Sequence, residues 1–383
     1  MRILMVNCEY PPLGGGGGVA LKHLVREIGE FHEVTVLTSG ARGLPKIEKE
    51  GATVVHRARR LGRPGRRVAS LASTFSFLSA GLLRGWNILR EERYDLINTW
   101  FAIPSGPTGV WLSRMFKIPH VLTLIGTDVY DPSKRRSPHR SIIKRAIVRW
   151  AMDSSKWCTA WSSDVRDRAR TLFRREIAID VVPPGIARPE YRPVARLVLG
   201  MERDAFYCVT VGRLIHRKRV GLLLDVFARS SDTNLKLLII GEGPEEKSLR
   251  RRVKALGLEK RVELLGRLPD EKKFQYLSNC DAYVSVSSHE GFGLTFVEAM
   301  ACGLPVLAPA IGGQRDWLIH GESGLVLEPD GDDLLRRIDE LLDAPEKAVA
   351  MREFNRRYAE KFSVAYVAEL WAETFERYLK SMY

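Results

Sequence analysis

The chain lacks the markers of several familiar protein classes. Its five cysteines, Cys8, Cys158, Cys208, Cys280 and Cys302, are odd in number, widely spaced and form no Cys-x-x-Cys pair. Neither a disulfide framework nor a zinc site is indicated, and a reducing cytoplasm suits such a set. No His-Glu-x-x-His and no Gly-x-Ser-x-Gly segment occurs. The one Asp-x-Asp, Asp330-Gly331-Asp332, stands at a predicted helix start, where acidic residues are ordinary caps. Nothing here calls for a metal or a bound cofactor. The uncharged stretch Val68 to Leu83 has 16 residues, four of them Ser and one Thr, whereas a membrane-spanning helix needs roughly 20 apolar ones. The apolar run Ile3 to Val6 is too short for a secretory leader and reads as a first strand. No repeat and no low-complexity tail stands out.

What is present is a chain of 383 residues, 45% hydrophobic, with 32 Gly and 19 Pro. Single cores stop growing at roughly 250 to 300 residues, so two domains are expected. The net charge of +14 is uneven: residues 1–190 hold 31 Lys/Arg against 17 Asp/Glu, and the remainder holds 29 against 29. The whole surplus belongs to the first half, which implies an anionic partner there: a membrane surface, a phosphorylated acceptor or nucleic acid.

Short β-branched runs alternate with helical patterns, the signature of parallel sheets covered by helices. Strands are expected at Ile3–Cys8, Val34–Thr38, Thr53–His56, Leu96–Thr99, Val121–Leu124, Cys158–Trp161 and Ile179–Val182. A proline-rich stretch from Pro183 to Pro193 then interrupts the pattern. The alternation restarts at Tyr207–Val211, Leu235–Ile240, Val262–Leu265, Ala282–Val286, Val306–Ala308 and Gly324–Leu327. Two Rossmann-like domains follow, 1–185 and 186–362, with a helix over 363–383 returning to the first. Within Val68–Leu83, Val68, Leu71, Phe75, Leu78 and Leu82 recur at steps of three and four, opposite a face of Ala, Ser and Gly. This is a helix packed on its own domain or, with six Arg between Arg57 and Arg67 and Trp86 beyond it, an interfacial membrane helix.

The sharpest constellation runs from Ser288 to Val306, after a strand and into a helix. Gly291 and Gly293 leave backbone amides bare at that helix start, where unpaired N–H groups and the dipole favour a phosphate. Glu290 precedes the helix and Glu298 sits inside it, flanked by Phe296, Val297, Ala299 and Met300. An acidic group in a site otherwise built for anions seeks hydroxyl donors, such as those of a ribose or hexose. A glycosidase pair would need both carboxyls astride one glycosidic bond, which a Rossmann loop does not favour.

The second element is Val211-Gly212-Arg213-Leu214-Ile215-His216-Arg217-Lys218. Cations at the carboxyl end of a parallel strand point into the crevice where such folds bind ligands, and Arg213 and Lys218 suit a departing diphosphate. Arg217 and Arg219 are read as surface. Gly241-Glu242-Gly243 and Gly266-Arg267 also close strands, and neither completes a dinucleotide fingerprint. In the first half, five glycines, Gly14 to Gly18, follow Pro11-Pro12-Leu13. Their entropic cost argues for more than a turn: amides of a loop, Gly16 and Gly17 included, that approach a donor phosphate or sugar.

Together these motifs resemble the retaining glycosyltransferase family 4 of the GT-B fold, from Met1 to about the last helix. The Glu290-x7-Glu298 segment running into Ala299-Met300-Ala301-Cys302-Gly303-Leu304-Pro305-Val306, the Gly212-Arg213-Leu214…Lys218 loop, the Pro-Pro-Leu-Gly-Gly loop and Gly312-Gly313…Gly321-Glu322-Ser323-Gly324 stand in the family's order. The resemblance implies an α/β protein whose two Rossmann-like domains face a central cleft. It implies that Arg213 and Lys218 grip the donor diphosphate, Glu298 holds ribose hydroxyls, and Gly293, Leu294 and Thr295 meet phosphate and sugar beside Gly291 and Phe292. Glu290 would contact the transferred sugar, and backbone near Gly243 and Arg267 would frame the base. The partners implied are a UDP- or GDP-sugar and a glycan or lipid-linked acceptor, with retention of configuration and no metal. Many relatives carry His-Gly where this chain has Leu124-Ile125-Gly126-Thr127-Asp128, so Ile125 replaces an imidazole and Asp128 is the nearest polar candidate. Asp316 likewise stands where a glutamate is usual. A cytoplasmic location follows, with peripheral attachment to the inner membrane face as its extension. An epimerase of the same architecture and a nucleic-acid-binding protein remain as alternatives, although the basic surface lacks the interleaved aromatics of the latter.

Overall fold

Strands buried on both faces need near-continuous apolar runs, and both halves of the chain supply them. The computed structural model describes residues 1–59, 71–134, 137–173 and 177–382. Two compact units form, Met1–Ile186 with Val364–Tyr383, and Ala187–Ser363.

The first unit is built on β1 (Arg2–Asn7), β2 (Glu33–Gly40), β3 (Ile47–Glu50), β4 (Thr53–Arg59), β5 (Leu96–Trp100), β6 (His120–Leu124), β7 (Trp157–Ala160) and β8 (Ile179–Val181). Their order is β3-β4-β2-β1-β5-β6-β7-β8, parallel except for β3, which pairs antiparallel to β4. The expected strands all form; β3 was not expected. The helices are α1 (Gly16–Ile28), α2 (Leu71–Glu91), α3 (Gly106–Phe116), α4 (Ile142–Asp153) and α5 (Ser163–Phe173). Chain order reverses between β1 and β5, so the loops after those two strands share one edge.

Helix α2 corrects the sequence reading. Phe77, Gly81, Gly85 and Ile88 form its buried stripe, whereas Leu78 and Leu82 are only half-buried. Glycine is what admits α3: a Cβ on Gly81 would lie 3.2 Å from Thr108 Cγ2, and one on Gly85 2.4 Å from Leu112 Cδ1. Val68 lies outside the described residues, as do Arg60, Arg63, Arg66 and Arg67. Arg57, expected in the basic run, is buried, with its guanidinium donating to Glu48 and to the Pro11 carbonyl at 2.7 Å.

The second unit holds β9 (Phe206–Val211), β10 (Leu235–Ile240), β11 (Val262–Gly266), β12 (Ala282–Val284), β13 (Val306–Pro309) and β14 (Gly324–Leu327), ordered β11-β10-β9-β12-β13-β14 and wholly parallel. Its helices are α6 (Val220–Arg229), α7 (Glu246–Ala255), α8 (Asp270–Asn279), α9 (Leu294–Ala301), α10 (Leu334–Asp343) and α11 (Pro345–Tyr358). Leu223, Phe227, Leu237, Ile239, Val284, Leu307 and Ile338 fill its core, each full burial contributing roughly 1.5–3 kcal/mol. Here the order reverses between β9 and β12.

The last helix, α12 (Val364–Lys380), belongs to the first unit and packs on α1. It buries Val367, Trp371 and Phe375; Trp371 stacks on Trp100 with ring centroids 6.3 Å apart, and Tyr378 donates to Asp180 at 2.6 Å. The chain leaves this unit after Ile186 and re-enters at Val364, whose N–H donates to the Ile186 carbonyl at 2.9 Å.

Candidate functional site

In an open parallel sheet, the carboxyl ends of the strands at the order reversal make a natural crevice. In the second unit these are the loops after β9 and β12, which carry Arg213, Lys218 and Glu290. The β9 loop is braced by the loop after β10: Leu214 N–H donates to Glu242 O at 3.0 Å, and Glu245 N–H donates to Leu214 O at 3.1 Å. Gly243 is needed there, because a Cβ would lie 2.2 Å from Leu214 O. The β12 loop is pinned from behind. Gly313 N–H donates to Glu290 O at 2.9 Å, and Trp317 Nε1–H to Phe292 O at 3.0 Å.

These braces bring Glu290 and Lys218 together. Lys218 Nζ lies 2.6 Å from Glu290 Oε1, and Arg217 Nη1 lies 3.1 Å from Oε2. The Glu290 side chain is only 7% exposed. Burial alone would raise its carboxyl, but Lys218 and then Arg217 outweigh it and hold the group at about 2. Arg217 also donates to the His289 carbonyl at 2.5 Å, so it is a structural cation of the site and not a surface residue. Arg213 is exposed and makes no ion pair among the described residues. Arg219 is exposed as expected, with φ 50° and a bond to Pro329 O.

Helix α9 starts directly after Gly293, at φ 95°, with no side-chain cap, which leaves the Leu294 and Thr295 amides at its open end. The Thr295 hydroxyl lies 2.9 Å from the Tyr283 hydroxyl, and Tyr283 donates to Val211 O at 3.1 Å, so α9 is tied to the end of β9. One turn on, Glu298 Oε2 pairs with Lys273 Nζ of α8 at 2.9 Å. Phe292 is buried, Gly291 half-buried, and the exposed Arg267 stands 3.8 Å from a Glu242 oxygen.

The first unit places Gly16, Gly17 and Asp128 at its own order reversal. Glu9 accepts the Gly15 N–H at 2.9 Å, and α1 begins at Gly16 without a side-chain cap. A Cβ on Gly17 would lie 2.8 Å from Phe101 Cζ and 3.5 Å from Ile125 Cδ1, so close packing over these two side chains accounts for that glycine. Asp128 is buried and accepts the amides of Ala102 (2.7 Å), Gly126 (2.8 Å) and Ile125 (3.1 Å). Its carboxylate fastens the loops after β5 and β6 to each other, where a polar group presented to a sugar was expected. Burial raises its carboxyl and the amides oppose the rise. Asp128→Ala would strand three buried amides and should cost about 3 kcal/mol. A fall of several degrees in Tm checks this; an unchanged Tm would contradict the bracing role.

Among the described residues no group of three or more His, Cys, Asp or Glu is placed to hold a metal ion. All five cysteines are buried and none forms a disulfide.

Comparison with known proteins accords with this geometry. The family model described as Glycosyltransferase Family 4 matches residues 14–188, and that described as Glycosyl transferases group 1 matches residues 195–358. The chain belongs to the family 4 glycosyltransferases. An uncharacterized glycosyltransferase of Methanocaldococcus jannaschii is 29% identical over 95% of this chain and 94% of its own length. Sucrose-phosphate synthase from Thermosynechococcus elongatus superposes with a TM-score of 0.88 over the whole of both chains at 21% identity. Anabaena HepE in complex with UDP-glucose gives 0.76 at 22% identity, over 98% of this chain and all of the other. The fold is therefore GT-B.

Family membership decides for a glycosyltransferase against the epimerase and nucleic-acid-binding alternatives. In this transferase the β9, β10 and β12 loops and α9 bring Arg213, Lys218, Gly243, Glu290 and Thr295 to one end of the second unit's sheet. Sequence reasoning missed Arg217, Lys273, Tyr283 and Trp317. Arg217 was hidden in a run of four basic residues, His216 to Arg219, and Lys273 in the equally polar Asp270-Glu271-Lys272-Lys273. The apolar residue after Lys273, Phe274, was the one available sign that this stretch has a buried side.

Proposed function

We propose that this glycosyltransferase moves a hexose, with retention, from a UDP- or GDP-sugar held by the second unit to a glycan or lipid-linked acceptor held by the first. The observation that carries the donor reading is the set of cations on one strand-end loop, Arg213 exposed and Lys218 and Arg217 closed on Glu290, beside the uncapped start of α9. That arrangement suits a diphosphate whose charge grows as the sugar departs. In the reaction the bond from the anomeric carbon to the diphosphate breaks and a bond to the acceptor hydroxyl forms on the same face. The hydroxyl proton passes to a diphosphate oxygen. Arg213, Lys218 and the Leu294 and Thr295 amides supply the neutralisation, so the reading requires neither metal nor cofactor. Glu298 receives the ribose hydroxyls, and Glu290, Gly291, Phe292 and Gly293 border the sugar.

Thermal unfolding with UDP, GDP and ADP tests the donor site, since a ligand at roughly 100 times its Kd stabilises by about 2.7 kcal/mol. At least one should raise Tm, and turnover of its sugar should survive EDTA and preserve the anomeric configuration in the product's NMR spectrum. Three flat responses would overturn the assignment.

Attachment to an anionic membrane through the first unit completes the reading. Ile142 and Ile143 open α4 at 85% and 74% exposure, beside Arg140, Lys144 and Arg145, the pairing of apolar and basic side chains that suits an interface. No helix among the described residues is long and apolar enough to cross a membrane. Co-sedimentation with phosphatidylglycerol vesicles at low salt should be seen and should be lost in Ile142→Asn/Ile143→Asn. Equal sedimentation of both proteins, or of neither, contradicts it.

A further inference from the structure

The donor reading assigns Glu298 to the ribose but says nothing of how a carboxylate in the body of a helix stays ionised and aimed. Its side chain is 16% exposed, and burial raises its carboxyl, the direction that favours the neutral acid. A neutral carboxyl turns one oxygen into a donor and can no longer accept two vicinal hydroxyls alike. Lys273 meets this difficulty. It stands on the neighbouring helix α8, its side chain is 13% exposed, and Nζ lies 2.9 Å from Glu298 Oε2 and 3.0 Å from Asp270 Oδ1. Asp270 is itself 60% exposed, so the cation's largely buried partner is Glu298. Burial would lower the Lys273 ammonium, but Glu298 and Asp270 together raise it, so it stays charged. The other titratable groups around Glu298 are Asp270 on α8, Tyr283 on β12 and Cys302 past the end of α9; burial holds the last two protonated.

We propose that Lys273 is a positioning residue for donor recognition: by pairing with one oxygen of Glu298, it fixes that carboxylate as an anion whose remaining lone pairs accept the 2′ and 3′ hydroxyls of the donor ribose. Lys273 touches neither nucleotide nor sugar. The inference rests on the donor reading above and adds to it a second residue, on a second helix, that sets the strength of ribose binding. Hydrogen bonds to a charged acceptor are about twice as strong as neutral ones, so neutralising or releasing Glu298 should be felt at the ribose hydroxyls alone.

The test compares UDP with 2′,3′-dideoxy-UDP, and GDP with its dideoxy counterpart, by calorimetry on the wild-type chain, Lys273→Met and Lys273→Arg. The Met variant should bind the ribonucleotide about 10- to 100-fold more weakly at pH 7 and the dideoxy nucleotide as well as wild type does. Its deficit should shrink as pH rises toward 9 and Glu298 ionises unaided. The Arg variant should recover most of the affinity. Equal weakening of both nucleotides, or of neither, would overturn the proposal by showing that the pair merely packs α8 on α9 or does not matter. Should the Met variant fail to fold, Lys273→Gln, which keeps a donor without a charge, carries the same comparison. A wild-type chain that binds neither UDP nor GDP overturns the donor reading itself. One that binds a ribonucleotide and its dideoxy form alike leaves the donor site standing and removes Lys273 from it.

Discussion

Replacing Lys218 with methionine is expected to slow sugar transfer by about a thousandfold, as loss of one preorganised charge-stabilising donor does elsewhere. Nucleoside diphosphate binding should weaken as well. The same change breaks one side of a buried ion pair, because Glu290 then faces Arg217 alone, and removing one partner of such a pair costs about 3–5 kcal/mol. The two losses separate in Lys218→Met/Glu290→Gln, which should regain stability and stay inactive. The pH dependence has a defined sign. The Glu290 carboxyl is lowered in the folded chain from 4.5 to about 2, so its contribution is whole above pH 4.5 and disappears as pH falls toward 2. Wild type and Lys218→Met should therefore differ most in chemical denaturation near pH 7 and converge in acid. A folded variant with normal turnover would take Lys218 out of the reaction.

Gly243→Ala should cost about a hundredfold in kcat/KM without touching a charged residue. The new Cβ would lie 2.2 Å from the Leu214 carbonyl oxygen and 2.7 Å from its carbon, all backbone, so no flexible side chain can give way. Either the β10 loop moves or the β9 loop does, and the latter carries Arg213. Displacement of a site group by about 1 Å is worth roughly that factor, and the overpacking adds about 1–3 kcal/mol of instability. Gly257→Ala is the control. Its φ is 66° and nothing lies within 4 Å of its Cβ position, so about 1 kcal/mol of stability should go and activity should remain. Equal kinetics in the two variants would refute the close-packing account.

The parallel strands were legible because a doubly covered strand must be apolar almost throughout, as in Leu235–Ile240, where every residue is buried. Strand β3, Ile-Glu-Lys-Glu, carries no such signal; it exists because β4 offers a free edge. The buried stripe of α2 was misplaced because hydropathy gives weight to leucine, whereas packing against Thr108 and Leu112 needed the two glycines. At the site, Glu290, Glu298, Arg213 and Lys218 were legible through motif order and resemblance. Arg217 and Lys273 were not, since a cation reads as solvated until the structure shows which carboxylate is buried against it. Asp128 was seen as a polar group near a sugar, and only the positions of three amides reveal its bracing work.

The hydrogen bond between Ile186 and Val364 has a consequence for how the chain is made. Residues 187–363 are in effect an insertion whose two ends meet a few ångströms apart, so they can complete their own sheet while the first unit still lacks α12. Until the final residues are synthesised, the Trp100 face that Trp371 covers stays open to solvent. Synthesis therefore finishes the unit it began last of all, an inversion of the usual amino-terminal-first order. A nascent chain stalled short of Val364 would carry a finished second unit attached to an unfinished first one.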